Sequence, residues 1–324
     1  MKRYFTITPS LIFQWIKVWK TWPELYWIKA ASCFRENDFR QAANLYKVGL
    51  LSHPKHPAAR CAMLDLAYCY YKLGSLGEAI DILFKLIKQK PYFRDAFLLL
   101  VKCLRFREER VYAFRVARNA LRLFPSDHAV ISQYLYSALS LPLTAFAKNE
   151  VHQLISTVTQ KITEDSPYYK DIICAGCYYS YFNLNKEEAI ESLSKLLATG
   201  MPPYEAVILR ASIYEIEERV EQARFQYTRA MRRCVEDYRP LLGLARCYLK
   251  EGSFSFSSEL SKAACKASEW HSIESIDLLI QSLAKLEEIE NIELYQAKLN
   301  FLENKQRLEV SRLIKVSDSS LVNF

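Results

Sequence analysis

The chain has little glycine, seven residues in 324, against eleven prolines, and half of its residues are hydrophobic. That composition argues against a β-sandwich or barrel and suits many helices with short joints. No run of about 18 uninterrupted apolar residues occurs, so no helix is expected to span a bilayer. Lys2 and Arg3 stand near the start, but no small-residue cleavage site follows and lysines interrupt the apolar stretch. A secretory signal is therefore not expected, and the expected location is cytoplasmic.

Catalytic signatures are missing as well. There is no GxxxxGKS/T, no GxGxxG and no GxSxG. The five histidines are scattered, and no two share helical ligand spacing with an acidic residue. The nine cysteines include one close pair, Cys174 and Cys177. A redox CxxC needs its first thiolate at a helix N-terminus, and a zinc site needs two further ligands nearby. This pair falls inside a predicted helix with neither feature. The cysteines are read as reduced, small buried residues. No catalytic residue, metal, cofactor or small-molecule substrate is expected.

What is present is a period. Residues 57–127 read as a helix of apolar and small residues, a short break, a second helix and a proline, and then the same again. In register, Ala79 falls on Ala113, Leu83 on Ala117, Ile87 on Leu121 and Pro91 on Pro125. Extending the register gives small residues at Ala42, Ala79, Ala113, Ala147, Ala189, Ala223 and Ser257, at intervals of 37, 34, 34, 42, 34 and 34. A small side chain at that place lets the second helix of a pair cross the first closely. Ala30, Ala67, Cys177, Ala211 and Ala245 supply the matching position on the first helices. Gly74 and Gly252, with Asn37 in the same role, end first helices in the left-handed conformation, and Pro54, Pro91 and Pro125 stop second helices.

A 34-residue helix–turn–helix period resembles the tetratricopeptide repeat. The resemblance covers about 23–271, strongest in 23–127 and 204–252 and weakest in 128–169. It departs from the family in the first helices that open on Met63, Phe97 and Val207 rather than a large aromatic, and in the closing prolines missing after the sixth and seventh pairs. The expected fold is all-α, a right-handed α-solenoid superhelix of about seven helix pairs. Three clear repeats occupy 23–127, a degenerate fourth with an insertion 128–169, and three more 170–271. Capping helices are expected over 272–316 and a disordered tail over 317–324.

Before the repeats, residues 10–22 place Leu11, Trp15, Val18 and Trp22 along one helical stripe, widened by Ile12, Ile16 and Trp19. At about 20 Å this helix is too short to cross a membrane. Two readings stay open: a cap over the first repeat, or an interfacial or partner contact through Trp15, Trp19 and Trp22 that would put the protein peripherally at a membrane.

The resemblance implies binding of a protein segment, extended or helical, in a concave groove lined by first helices. Projection of the pattern places there Trp27, Phe34 and Arg35, then Tyr68, Tyr71 and Lys72, Lys102 and Arg105, Tyr178 and Tyr181, and Arg246 and Lys250. Aromatic faces beside cations suit a peptide with acidic or aromatic residues. The function expected is that of a non-enzymatic adaptor or assembly factor. The arginine-rich stretch 94–122 keeps RNA binding as a further alternative, and the net charge of +8 demands neither partner.

Overall fold

A computed structural model describes residues 23–141, 145–288 and 292–318. Among them there are sixteen α-helices and no strand. They run as pairs: α1 (Pro23–Arg35) with α2 (Phe39–Ser52), α3 (Ala59–Lys72) with α4 (Leu76–Gln89), and α5 (Arg94–Phe106) with α6 (Arg110–Leu123). The next are α7 (His128–Leu139) with α8 (Ala145–Lys161), α9 (Tyr169–Asn183) with α10 (Lys186–Leu197), and α11 (Tyr204–Ile216) with α12 (Val220–Arg233). Then come α13 (Tyr238–Lys250) with α14 (Phe254–Ala267), and finally α15 (Ile273–Lys285) with α16 (Ile292–Asp318). The fold is an α-solenoid: seven repeat pairs and one more pair behind them. The Trp-rich stretch 10–22, with Trp15, Trp19 and Trp22, lies outside the described residues. So does the tail after Asp318, where α16 runs two residues past the expected start of the tail.

The small-residue column is where the helices cross. Ala42, Ala79, Ala113, Ala223 and Ser257 have no exposed surface and Ala189 almost none; the side chain of Ala147 lies outside the described set. Ala30, Ala67, Ala211 and Ala245 are as fully buried on the first helices. Any larger group there would hold two backbones apart.

First helices end in one repeated turn. Asn37, Gly74, Glu108, Glu218, Gly252 and Glu287 all have φ between 59° and 77°. In each case the next residue donates its N–H to the carbonyl five residues back, as in Asp38 to Cys33 (2.9 Å), Glu109 to Leu104 (2.9 Å) and Arg219 to Tyr214 (2.8 Å). That is a Schellman closure, which satisfies carbonyls the helix end would otherwise orphan. Two second helices, α2 and α10, and the first helices α7, α13 and α15 start on side-chain caps. Asp38 accepts from Gln41 N (3.0 Å), Asn185 from Glu187 N (3.1 Å) and Asp127 from Ala129 N (2.9 Å).

The chain divides into two compact units, Met1–Ala96 and Phe97–Phe324, with the boundary inside α5. In the first, Trp27 lies buried over Gly49 and edge-on to His56 at 5.1 Å, and Tyr46 donates to Asp65 (3.1 Å) to join α2 to α3. In the second, one large apolar cluster runs from Val101 to Ile213 and includes Leu135, Ile172 and Leu193. Smaller clusters continue it through α11–α14 and under α15–α16.

Candidate protein-interaction site

In the first unit, the first helices carry a ladder of rings. Phe34, at the end of α1, stands 5.4 Å from Phe39 and 5.2 Å from Tyr68 of α3. Tyr68 meets Tyr71, one helical turn on, at 5.7 Å, and the ammonium of Lys72 lies 5.4 Å from the Tyr71 ring. Phe34, Tyr68 and Lys72 are half-buried, Arg35 is exposed at the margin, and Tyr71 is buried beneath. Rings held edge to face offer a rigid apolar surface at low entropic cost to a guest.

The second unit presents a different inner face. Glu205, in the first turn of α11, accepts Arg105 Nη2 (2.8 Å) from α5 and Arg239 Nη1 (2.8 Å) and Nη2 (3.0 Å) from α13. Arg239 also donates to Asp237 (Nε to Oδ2 2.9 Å, Nη2 to Oδ2 2.6 Å), and Asp237 takes a further bond from the Tyr204 hydroxyl (2.9 Å). Arg105 lies over the Tyr136 ring at 5.2 Å. A second set joins Glu274 of α15 to Arg110 (3.1 Å) and Arg246 (3.5 Å), while Arg246 pairs with Glu215 of α11. Burial would push the Glu205 carboxyl up, but the guanidiniums of Arg239 and Arg105 outweigh it and hold it far below the usual carboxylate range. Residues from α5, α6, α11, α13 and α15 thus form two internal sets of paired charges.

Residues 34–104 match the family model of the tetratricopeptide repeat. Over that stretch the chain is similar to the tetratricopeptide repeat. A tetratricopeptide repeat protein from Parabacteroides merdae ATCC 43184 has a similar fold, with a TM-score of 0.57 at 12% identity, over 81% of this chain and 98% of that one. The APC/C hetero-tetramer Cut9–Hcn1 contains another, with a TM-score of 0.58 at 16% identity, over 87% of this chain and 59% of that chain. No curated protein matches the sequence. At these identities the likeness is one of fold.

Within the helix pairs, the expected groove residues meet different surroundings. Phe34, Arg35, Tyr68 and Lys72 come together with open surface. Trp27, Tyr71 and Tyr181 are buried among neighbouring helices. Arg105 and Arg246 are bound to carboxylates of their own chain. Tyr178, half-buried, packs on Phe182 at 4.9 Å, Lys102 lies over Phe106 at 5.7 Å, and Lys250, exposed, donates to the Glu215 carbonyl at 3.4 Å. Of the arginines in 94–122, Arg94, Arg105, Arg107 and Arg110 are ion-paired in cis. The surface expected to be free and basic is largely neutralised. Cys174 and Cys177 are buried; burial pushes the Cys177 thiol up to about 11 and that of Cys174 well above its ordinary value, so neither is a nucleophile near neutral pH. Among the described residues no group of three or more His, Cys, Asp and Glu could hold a metal, and no helix is long and apolar enough to cross a membrane.

Glu205, Arg239 and Glu274 escaped the sequence reading, although a signal was there. Asp171, Glu205, Arg239 and Glu274 recur at intervals of 34, 34 and 35, so ionisable residues hold one repeat position through four first helices. Asp171 is the unpaired end of that column. Burial, and then the charge of Glu205, push its carboxyl up to about 6, with Arg105 opposing. Its folded pKa lies above the unfolded value, so its contribution is present at low pH and lost as pH rises through about 6. Asp171→Asn should therefore stabilise the protein at pH near 7.5, by about 2 kcal/mol, and leave it unchanged near pH 4. Urea midpoints of both proteins at the two pH values check this, and equal gains at both would refute it.

Proposed function

We propose that this chain is a non-enzymatic scaffold that holds a protein segment against the ring ladder of its first unit. The observation that carries the reading is the half-open set Phe34, Tyr68 and Lys72 with Arg35 at its edge, inside the stretch that matches the family model. The internal neutralisation of the second unit's inner face supports the same assignment, because a charged guest there would have to displace Glu205 or Glu274 from buried guanidiniums. One structural neighbour, Cut9–Hcn1, is itself an assembly of two kinds of chain. The guest that fits is extended or helical, with aromatic side chains to stack on Phe34 and Tyr68 and an acidic residue to meet Lys72 or Arg35.

The test is affinity capture from native lysate, read by mass spectrometry, with the wild type beside Phe34→Ser/Tyr68→Ala/Lys72→Glu. Because these side chains are half-exposed, the variant should keep its helical content and melting temperature while losing its specific partner set. Retention of the same partners by a folded variant would end the proposal.

A further inference from the structure

The second unit closes on itself, and its closing seam is ionic. The first pair of the unit, α5–α6, meets elements about 100 to 165 residues further along the chain, and three ion pairs join them. Arg105 reaches Glu205 at 2.8 Å, Arg107 Nε reaches Glu269 Oε2 at 3.1 Å, and Arg110 Nη2 reaches Glu274 Oε1 at 3.1 Å while also holding Glu108 at 2.6 Å. Val111, Ile273 and Leu302 border a cavity of about 30 Å³ between the α5–α6 turn, α15 and α16.

Three of the left-handed non-glycine residues among the described ones lie at the same place. Glu108 (φ 62°), Glu269 (φ 50°) and Trp270 (φ 61°) are all left-handed without being glycine. Each has a side chain engaged at the seam or beside it: Glu108 with Arg110, Glu269 with Arg107, and Trp270 stacked on Tyr295 of α16 at 5.6 Å and 9°. A strained turn persists where surrounding contacts over-determine it, and the two ionic contacts are ones that salt can weaken.

We propose that this seam is a releasable closure: the α5–α6 turn parts from the α14–α15 turn and α16 while the pairs between them stay folded. His271 makes the closure sensitive to pH as well as salt. From the α5–α6 turn it faces Arg107, and Glu109 at 4.0 Å; from α16 it faces Lys305, with Glu309 on the cavity wall; and its Nδ1 lies 2.8 Å from the Glu269 carbonyl. Burial, then Arg107, lower its pKa. A folded pKa below the unfolded one means that the closure is complete above the ordinary histidine range and weakens as pH falls through it.

Hydrogen exchange on the full chain decides it. Raising salt from about 50 mM to about 1 M, or lowering pH from about 7.5 to about 5.5 with intrinsic rates corrected, should speed exchange roughly tenfold in 104–111, 268–275 and 298–310, and not in 172–197. Arg107→Glu should open the seam at low salt, the exchange Arg107→Glu/Glu269→Arg should close it again, and His271→Gln should remove the pH response while keeping the salt response. Seam peptides indifferent to salt, acceleration spread evenly over the unit, or no rescue by the exchanged pair would each overturn the proposal. Capture of a partner by the first unit is untouched by these variants, so this proposal and the scaffold reading fail separately.

Discussion

Gly243→Val is expected to destabilise the protein by about 3 kcal/mol or more, the signature of overpacking at a helix crossing that cannot open. Gly243 lies in α13 against Tyr227 of α12, and a Cβ added there would fall 2.3, 2.4 and 2.5 Å from three atoms of that ring. The ring has nowhere to go. Tyr227 is 1% exposed, and its hydroxyl donates to Glu215 Oε2 at 2.7 Å and lies 3.3 Å from Ser212 Oγ. Moving it would strand Glu215, which also holds Arg246, so the steric cost would spread into the charge network. Gly200→Ala is the control, since nothing lies within 4 Å of the added group, and it should shift stability by less than about 0.5 kcal/mol. Urea unfolding of the two variants beside the wild type checks both expectations. Equal midpoints would mean that α12 and α13 do not approach as closely as their backbones indicate.

The contact that Gly243 permits, between one pair and the next, carries no mark in the sequence, but the crossings within pairs do. Steric demands repeat with the chain: wherever a second helix crosses a first, a small residue is required, so Ala42, Ala79, Ala113, Ala223 and Ser257 mark the pairs before any coordinates are known. Gly74 and Gly252 announce left-handed turns for the same reason. Glu108, Glu218 and Glu287 occupy the equivalent turn yet carry no such mark, because glutamate has no preference for φ > 0 and is held there by the helices on either side.

The site was less legible than the fold. Helical periodicity gives the direction in which Tyr71, Tyr181 or Arg105 leaves its own helix, and that direction was enough to place all three on first helices. Whether such a side chain meets water, a ring or a carboxylate depends on how neighbouring helices close over it. For Arg105 the partner is 100 residues away, brought near by small rotations summed over successive pairs, which no local pattern records. Phe34 and Tyr68, by contrast, sit on adjacent first helices, where one repeat step is enough to predict that their rings share a face.

Removing the carboxylate at the middle of the second unit should have the other large effect. In Glu205→Ala, Arg239 would keep Asp237, whose side chain is fully buried beside it, but Arg105 would lose its ion pair and retain Gln133 at 3.4 Å, the Tyr136 ring and the more distant charge of Asp171. Breaking a buried ion pair from one side costs about 3–5 kcal/mol, because the stranded charge has lost both its water and its partner. Replacing the whole set at once with apolar residues of similar size, as in Arg105→Met/Glu205→Leu/Arg239→Met, should be far milder, except that Asp237 then needs Asp237→Asn to avoid a new orphan. The pH dependence separates lost charge from lost packing. The Glu205 carboxyl is held below its unfolded value, so its contribution is present above about pH 4.3 and is lost as pH falls. Stability of the wild type should therefore fall more steeply than that of Glu205→Ala between about pH 5 and pH 3, and the two should converge in acid. Urea midpoints across that range test it: parallel curves would show that Glu205 acts through its volume, and that the arginines around it are solvated when it is gone.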